Sequence, residues 1–475
     1  MKRRLTLLAA AALLSACTVG PDYRRPELNL PAHFEEGHAV PTEAPNALHD
    51  RWWTQIGNPA LDRLVERALA HNPGLEAAQA ALVSARESVR AQEGAYLPQV
   101  GAAYGFQRAR VATELASPLS DSAMVYNLHT ASLNVSYVPD LFGLNRRTVE
   151  SLQAQADSQK YTLAATRITL VSNVIAAAAA EAGLREQIQA AEQQLRLQES
   201  MLEALRALRA KGANSEADVR AQELQVATLQ AALPPLVKQL EQQRDALKNL
   251  LGAYPDEVLG ESFTLSELHP GAPLPQTLPS TLVDSRPDIR VAEENLHAAS
   301  AAIGIAVANR LPQITLGASL VGQSSTSLGQ LFNSANNFWN LAGGLAAPIY
   351  SGGTLSARER AARAAYDQAA ALYRQTVLGA FQNVADALSA VRNDALATQK
   401  NQLAVEAAQR SLDIARAQLR LGDLSVLAVI PLEQSALQAR LALAQSRANE
   451  LADLAALGMA LGGGWQDNEH PARAD

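Results

Sequence analysis

Landmarks in the second half of the chain repeat those of the first, in the same order and at the same spacing, and this duplication constrains the fold more than any other feature. Asn72-Pro73-Gly74-Leu75 is echoed by Arg286-Pro287-Asp288-Ile289, and Leu97-Pro98-Gln99-Val100 by Leu311-Pro312-Gln313-Ile314, with the prolines 25 residues apart in each copy. Farther on, Lys211-Gly212-Ala213-Asn214-Ser215 matches Leu421-Gly422-Asp423-Leu424-Ser425, and Leu251-Gly252 matches Leu461-Gly462, 40 residues from Gly to Gly both times. Offsets of 210 to 214 define a tandem duplication. Solenoid repeats run about 20–50 residues, so the pattern predicts two large structural halves rather than an array.

Each copy reads as helix, strand pair, very long helix, tight turn and return helix. The strands come from period-two alternation. Val100, Ala102, Tyr104 and Phe106 alternate with Gln99, Gly101, Ala103, Gly105 and Gln107, and Leu133, Val135 and Tyr137 with Ser132, Asn134 and Ser136. In the second copy Ile314, Leu316, Ala318 and Leu320 alternate with Thr315, Gly317 and Ser319, and Trp339, Leu341 and Leu345 with Asn340, Ala342 and Gly344. Regions 96–142 and 310–350 hold 10 of the 21 aromatics, whereas 162–253 and 382–464 hold none. Aromatics concentrated on strands fit lipid-facing girdles, and Tyr104, Phe106, Phe338 and Trp339 are the candidates.

No proline falls between Pro139 and Gly212 or between Pro348 and Gly422, which leaves room for helices of about 65 residues, near 100 Å long. Their apolar spacing is that of a coiled coil: Leu184, Ile188, Ala191, Leu195, Gln198, Leu202 and Leu205 step alternately by four and three, as do Val405, Ala408, Leu412, Ala415 and Leu419. The return helices carry the same seam in Val219, Gln222, Val226, Leu229 and Leu233, and in Leu437, Leu441, Ala444, Ala448 and Leu451. Gly212 with Ser215 and Gly422 with Ser425 supply a glycine stop and an N-cap at each hairpin tip. Pro234-Pro235 predicts a kink or break in the first return helix.

Lys2, Arg3 and Arg4 precede an apolar run, Leu5 to Leu14, that is too short to span a membrane and reads as a secretion signal. It ends in Leu14-Ser15-Ala16-Cys17, which resembles the bacterial lipobox. Cys17 is the only cysteine of the chain, so no internal disulfide is available and a covalent lipid is expected on it. Beyond the signal the sequence shows no run of 18 or more apolar residues, so strands are the expected means of crossing a membrane.

Cys17-Thr18-Val19-Gly20-Pro21-Asp22-Tyr23, Trp52-Trp53 with Asn58-Pro59-Ala60-Leu61-Asp62-Arg63-Leu64, and Arg286-Pro287-Asp288-Ile289 with Ala292-Glu293 together resemble the outer membrane factor family, in its lipoprotein NodT-type branch related to TolC-like channels. The resemblance runs from Cys17 to about Gly464. It implies a mainly α chain with a transmembrane β part, a tandem-duplicated subunit giving four strands to a trimeric twelve-stranded outer-membrane barrel continued by a long helical periplasmic tunnel. It also implies an efflux conduit for small solutes or drugs in a Gram-negative outer membrane. Its partners would be two further copies, a periplasmic adaptor, an inner-membrane transporter and outer membrane lipid.

On this reading the chain divides into a lipoprotein signal peptide 1–16, a lipid-anchored extended leader 17–51, a first repeat 52–260 with strand pair 98–139 and hairpin 144–252, a linker 261–279, a second repeat 280–464 with strand pair 312–349 and hairpin 354–462, and a tail 465–475. The hairpin tips, Lys211, Gly212, Ala213 and Ser215 with Gly422, Asp423, Leu424 and Ser425, are expected to meet the adaptor, being the ends farthest from the strands. By resemblance the second tip closes the channel. Where relatives often carry aspartates this chain has Ala428 and Pro431, so Asp413, Arg416, Arg420, Asp423, Leu424 and Leu427 are the gate candidates.

Forty basic against 47 acidic residues argue against nucleic acid as a partner. The eight histidines contain no i, i+3 or i, i+4 pair, and no HExxH, GxSxG or P-loop occurs, so neither catalysis nor a cofactor or metal is expected. A periplasmic adaptor without channel activity is the alternative, but adaptors resemble a single hairpin flanked by lipoyl and barrel modules, not two hairpins with amphipathic strand pairs.

Overall fold

The structure is a computed structural model of the chain and describes residues 18–27, 51–112, 124–258, 260–261, 263–267, 286–324 and 327–463. The expected signal peptide 1–16, Cys17, most of the leader 17–51, most of the linker 261–279 and the tail 465–475 lie outside them. The first copy contains α1 (Pro59–His71), α2 (Pro73–Glu93), β1 (Gln99–Arg110), β2 (Val125–Tyr137), α3 (Leu144–Ala210) and α4 (Glu216–Leu250). The second contains α5 (Pro287–Ala308), β3 (Gln313–Ser324), β4 (Asn337–Ala346), α6 (Thr354–Leu421) and α7 (Val426–Ala460). Equivalent helices match closely in length: α3 has 67 residues and α6 has 68, while both return helices have 35.

The duplication is written most clearly in how these helices end. At each of Gly212, Gly252, Gly422 and Gly462 the glycine N–H reaches back three residues and the next N–H reaches back five, the Schellman arrangement that satisfies otherwise orphaned carbonyls. All four glycines have positive φ, between 69° and 82°, a region that a side chain disfavours. The X-Pro landmarks clasp the ends of the return helices. Asn72 Nδ2 donates to the Leu250 carbonyl at 2.9 Å, and at the corresponding place Arg286 Nη1 donates to the Ala460 carbonyl at 2.7 Å.

The described residues fall into two compact units, those within 1–26, 82–159 and 292–373 and those within 27–81, 160–291 and 374–475. The first holds a four-stranded antiparallel sheet of order β1-β2-β3-β4. The second holds the coiled helices and a core in which Trp52, Trp53, Leu61, Leu64 and Val65 pack on Val171, Val174, Ile175, Ala178, Leu451 and Ala455. Each such leucine or valine contributes about 1.5–3 kcal/mol by leaving water.

Three expectations change. The helix α4 runs unbroken through Pro234 and Pro235. Both prolines and residues 230 and 231, whose carbonyls they leave without amide partners, are exposed, so water replaces the missing hydrogen bonds. Ser215 forms a full capping box with Asp218, whereas Ser425 makes no side-chain cap, and Ala428 at the third helical position has no side chain to return a bond. Finally, α3 and α7 each contain an 18-residue window of mean hydropathy 1.5 and 1.2, long and apolar enough to cross a membrane. In α3 that apolarity belongs to the alanine-rich stretch packed in the core around Val174.

Candidate functional site

Strand register decides which side chains share a face of the sheet. Opposed pairs point the same way. Ala102 lies opposite Leu133, Leu133 opposite Leu320, and Leu320 opposite Trp339. Continuing the register gathers Val100, Tyr104, Val135, Leu316, Leu341 and Leu345 onto that same face. The reverse face carries Gly101, Ala103, Ser132, Asn134, Thr315 and Ser319. Many of the apolar side chains stand open: Val100 and Tyr104 are 66% and 55% exposed and Trp339 is 72% exposed. Tyr104 and Phe106 meet His129 on this face, the Tyr104 hydroxyl 2.8 Å from Nδ1 and the Phe106 ring 4.9 Å from the imidazole. Among the girdle candidates the register separates Phe338, which lies opposite Val321 on the polar face, because neighbouring residues on a strand point to opposite sides.

The sheet is open at both margins, with one side of β1 and one side of β4 unpaired among the described residues. A second unpartnered surface runs along α6. Leu378, Leu396, Leu403, Ile414 and Leu421 are 51–77% exposed, and their spacings of 18, 7, 11 and 7 residues are near-multiples of a helical turn. They form one apolar stripe.

The tips differ in construction. At the first, Arg209 pairs with Glu216 across the turn and the capping box fixes Ser215, while Lys211, Gly212 and Ala213 are exposed. At the second, Gly422, Asp423 and Ser425 are exposed, but Leu424 packs partly on Leu412, Ala415 and Val429. Leu427 points outward at 46% exposure. Asp413 accepts from Gln409 on its own helix at 2.9 Å, and Arg420 is exposed.

Arg416 is different, because its guanidinium donates to Glu433 Oε1 at 2.9 Å across α6 and α7. Glu433 is 4% exposed and also accepts from Gln198 on α3. The Gln198 side chain in turn accepts from Gln222 Nε2 on α4 at 2.5 Å. One buried polar layer therefore ties all four long helices together. Sequence reasoning missed Glu433, although a signal existed: Gln198 and Gln222 occupy apolar seam positions, and Glu433 stands one step of four before Leu437 in the same seam. A polar layer among apolar ones costs stability and fixes register.

The leader docks where β2 passes into α3. Val19 N–H donates to the Phe142 carbonyl at 3.2 Å, and Thr18 Oγ1 accepts from Arg146 at 2.8 Å. Arg147, its side chain only 5% exposed, reaches the Val19 carbonyl at 3.1 Å and Asp22 at 2.8 Å. Gly20 permits the approach, since a Cβ there would stand 2.4 Å from the Gly304 Cα. Tyr23 stacks on His297 with ring centroids 4.4 Å apart. The imidazole lies between Glu150 at 3.1 Å and Glu294 at 3.3 Å. The hydrogen bond to Glu294, opposed by burial and aided by Glu150, raises its pKa.

One titratable pair stands apart from these surfaces. Burial, then the hydrogen bond and charge of Asp394, lift the Asp453 carboxyl to about 6. Asp453 borders a groove of about 480 Å³ also lined by Arg286, Asp288 and Asp386. Among the described residues no group of three or more His, Cys, Asp or Glu is placed to hold a metal ion.

A four-stranded amphipathic sheet joined to two coiled hairpins defines the class of TolC-like outer membrane channel subunits. The profile of the family described as outer membrane efflux protein matches residues 64–253 and 278–463, one match per copy, and the chain belongs to that family. It is 29% identical over 470 residues to the pyoverdine export outer membrane protein OpmQ of Pseudomonas putida, covering 98% of each chain. It is also 29% identical over 479 residues to the toluene efflux pump outer membrane protein TtgF of the same species, again over 98% of each. Among solved structures it is similar to the outer-membrane channel OprN, at 27% identity and a TM-score of 0.82 over 94% of this chain and 100% of that one. The open state of the Neisseria gonorrhoeae channel MtrE aligns at 26% identity and a TM-score of 0.81, over 94% and 98%. The protein is thus an outer membrane channel component of an efflux system. The adaptor alternative finds no support in these relatives.

Proposed function

We propose that the chain works as a homotrimer, a passive exit duct that receives small solutes or drugs from an inner-membrane transporter through a periplasmic adaptor. The sheet carries this reading: four strands with two open margins are too few to close a membrane barrel, which needs about eight or more, and three copies supply twelve. The exposed stripe on α6 supports the same conclusion, since a row of aliphatic side chains 51–77% exposed is a surface built for another helix. The apolar face then meets lipid and the face bearing Ser132, Asn134 and Ser319 lines the lumen. No catalysis and no cofactor are part of this function. Cys17 is the lipid attachment point, and the leader that follows it is held at the junction of strand and helix by Arg146 and Arg147.

Adaptor contact is assigned to the tips, Lys211 to Ser215 and Gly422 to Ser425. Resting closure is assigned to the second tip, with Leu427 as its apolar ring and Arg416 as a support rather than a pore-lining charge. Purified protein in a planar bilayer should give discrete conductance steps. Photocrosslinkers at Ala213 and Leu424 should capture an adaptor, and Cys17→Ser should abolish palmitate labelling. A pure bilayer preparation with no conductance, alongside capture from strand positions only, would remove this reading.

A further inference from the structure

We infer that Arg108 and Arg110 form a binding site on the outer surface of the barrel for a phosphate-bearing lipid headgroup of the outer leaflet. The inference rests on the membrane placement proposed above. None of the four strands contains an aspartate, glutamate or lysine, and Arg108 and Arg110 are their only arginines. Both are exposed. The register places them on the lipid-facing side, in line with Val100, Ala102, Tyr104 and Phe106, with Arg108 opposite Asn127 and Arg110 opposite Val125. A strand with no mechanical need for charge thus carries two cations, two residues apart, on the face where charge is most costly.

Their depth resolves that conflict. Val100 to Arg108 is eight residues, about 27 Å along the strand and about 21 Å along the barrel axis at a tilt near 40°, close to the roughly 25 Å height of the apolar band. Arg108 therefore stands at the rim of the band and Arg110 just beyond it, at headgroup level. This rim is the outer one, because the opposite end of β1, at Gln99, is the end from which the helices depart. Tyr104, Phe106 and His129 form an aromatic cluster immediately below, where interfacial rings belong. A guanidinium presents paired N–H donors matched to phosphate oxygens, and no acidic side chain on the sheet competes for them. Across the register β2 offers Asn127 opposite Arg108, β3 ends at Ser324 in line with Phe106, and β4 begins at Asn337 in line with Tyr104, all polar but uncharged, so the site is local to β1 in each copy.

The test uses the full chain in neutral detergent, with bound lipid measured by native mass spectrometry. The probes are bisphosphorylated lipid A, the same glycolipid with its phosphates removed, and phosphatidylcholine. The parent should bind the phosphorylated lipid at least tenfold more tightly than the other two. Arg108→Gln or Arg110→Gln should weaken it about 5-fold, and the double variant about 30-fold. In the double variant, Asn127→Arg restores a cation to the same face beside position 108 and should recover binding, whereas Gln107→Arg on the lumen face should not. Millimolar inorganic phosphate should leave the lipid bound; displacement by it would make this a free-phosphate site and overturn the lipid assignment. So would a parent that does not distinguish phosphorylated from dephosphorylated lipid, or rescue by Gln107→Arg. Conductance of the same samples in phosphatidylcholine bilayers separates the two readings. A conducting parent without lipid preference defeats this inference alone, and a non-conducting one defeats the channel assignment.

Discussion

His297 shows how one side chain couples the leader to the body of the first unit. Its pKa is raised, so the protonated ring is the form the fold prefers, and the stabilisation it provides is complete below the unfolded value near 6.5 and lost as pH rises through the folded value. His297→Gln should therefore lower the melting temperature most at pH 5.5 to 6 and progressively less toward pH 8.5, which scanning calorimetry across that range will read. Arg416 acts through contact rather than titration. Removing one member of a buried pair strands the other, a cost of about 3–5 kcal/mol when both are fully buried and nearer 1–2 here because Arg416 is 27% exposed. Single-channel records of Arg416→Ala should show larger resting conductance, and Arg420→Ala, exposed at the tip, should leave closure unchanged.

At the scale of elements, the sheet makes the sharpest prediction because adjacent residues occupy opposite environments. Arginine at Leu133, mid-strand on the apolar face that the proposed placement turns to lipid, should cost about 2–4 kcal/mol and reduce the heat-stable oligomer on a gel, while arginine at Ser132 should be mild. Between α6 and α7 the Asp394–Asp453 pair sets a pH dependence of opposite origin. With its folded pKa raised to about 6, Asp453 binds its proton more tightly in the fold, so stability declines as pH climbs from about 4 to 6 and its ionised carboxylate weakens the helix contact above that. Asp453→Asn should be more stable than the parent at pH 7.5 and indistinguishable from it at pH 4, as thermal unfolding at the two pH values will test.

On the proposed reading the whole molecule is incomplete as a single chain. Open margins on β1 and β4 and the stripe from Leu378 to Leu421 are surfaces that additional copies would cover. Replacing Leu396 and Leu403 together by lysine should convert the assembly to monomer by light scattering while leaving the far-ultraviolet helix signal in place, since neither side chain belongs to a buried core cluster. Loss of helix along with assembly would place the stripe inside the fold instead.

The duplication, the order of elements, the two hairpin tips and the apolar side of each strand are legible in the amino-acid order alone. These are periodic or local signals, carried by proline and glycine landmarks, alternation and heptad steps. It could not decide matters that arise between elements. Pro234-Pro235 reads as a break until the exposure of residues 230 and 231 shows where the freed carbonyls go. Arg416 reads as a charge near a pore until Glu433, 17 residues on, is brought beside it together with Gln198 from the other hairpin. The seam positions of those glutamines and that glutamate were visible, but their joining into one layer depends on the stagger of four helices. That stagger is set by packing summed over the whole length of the hairpins and not by any local signal.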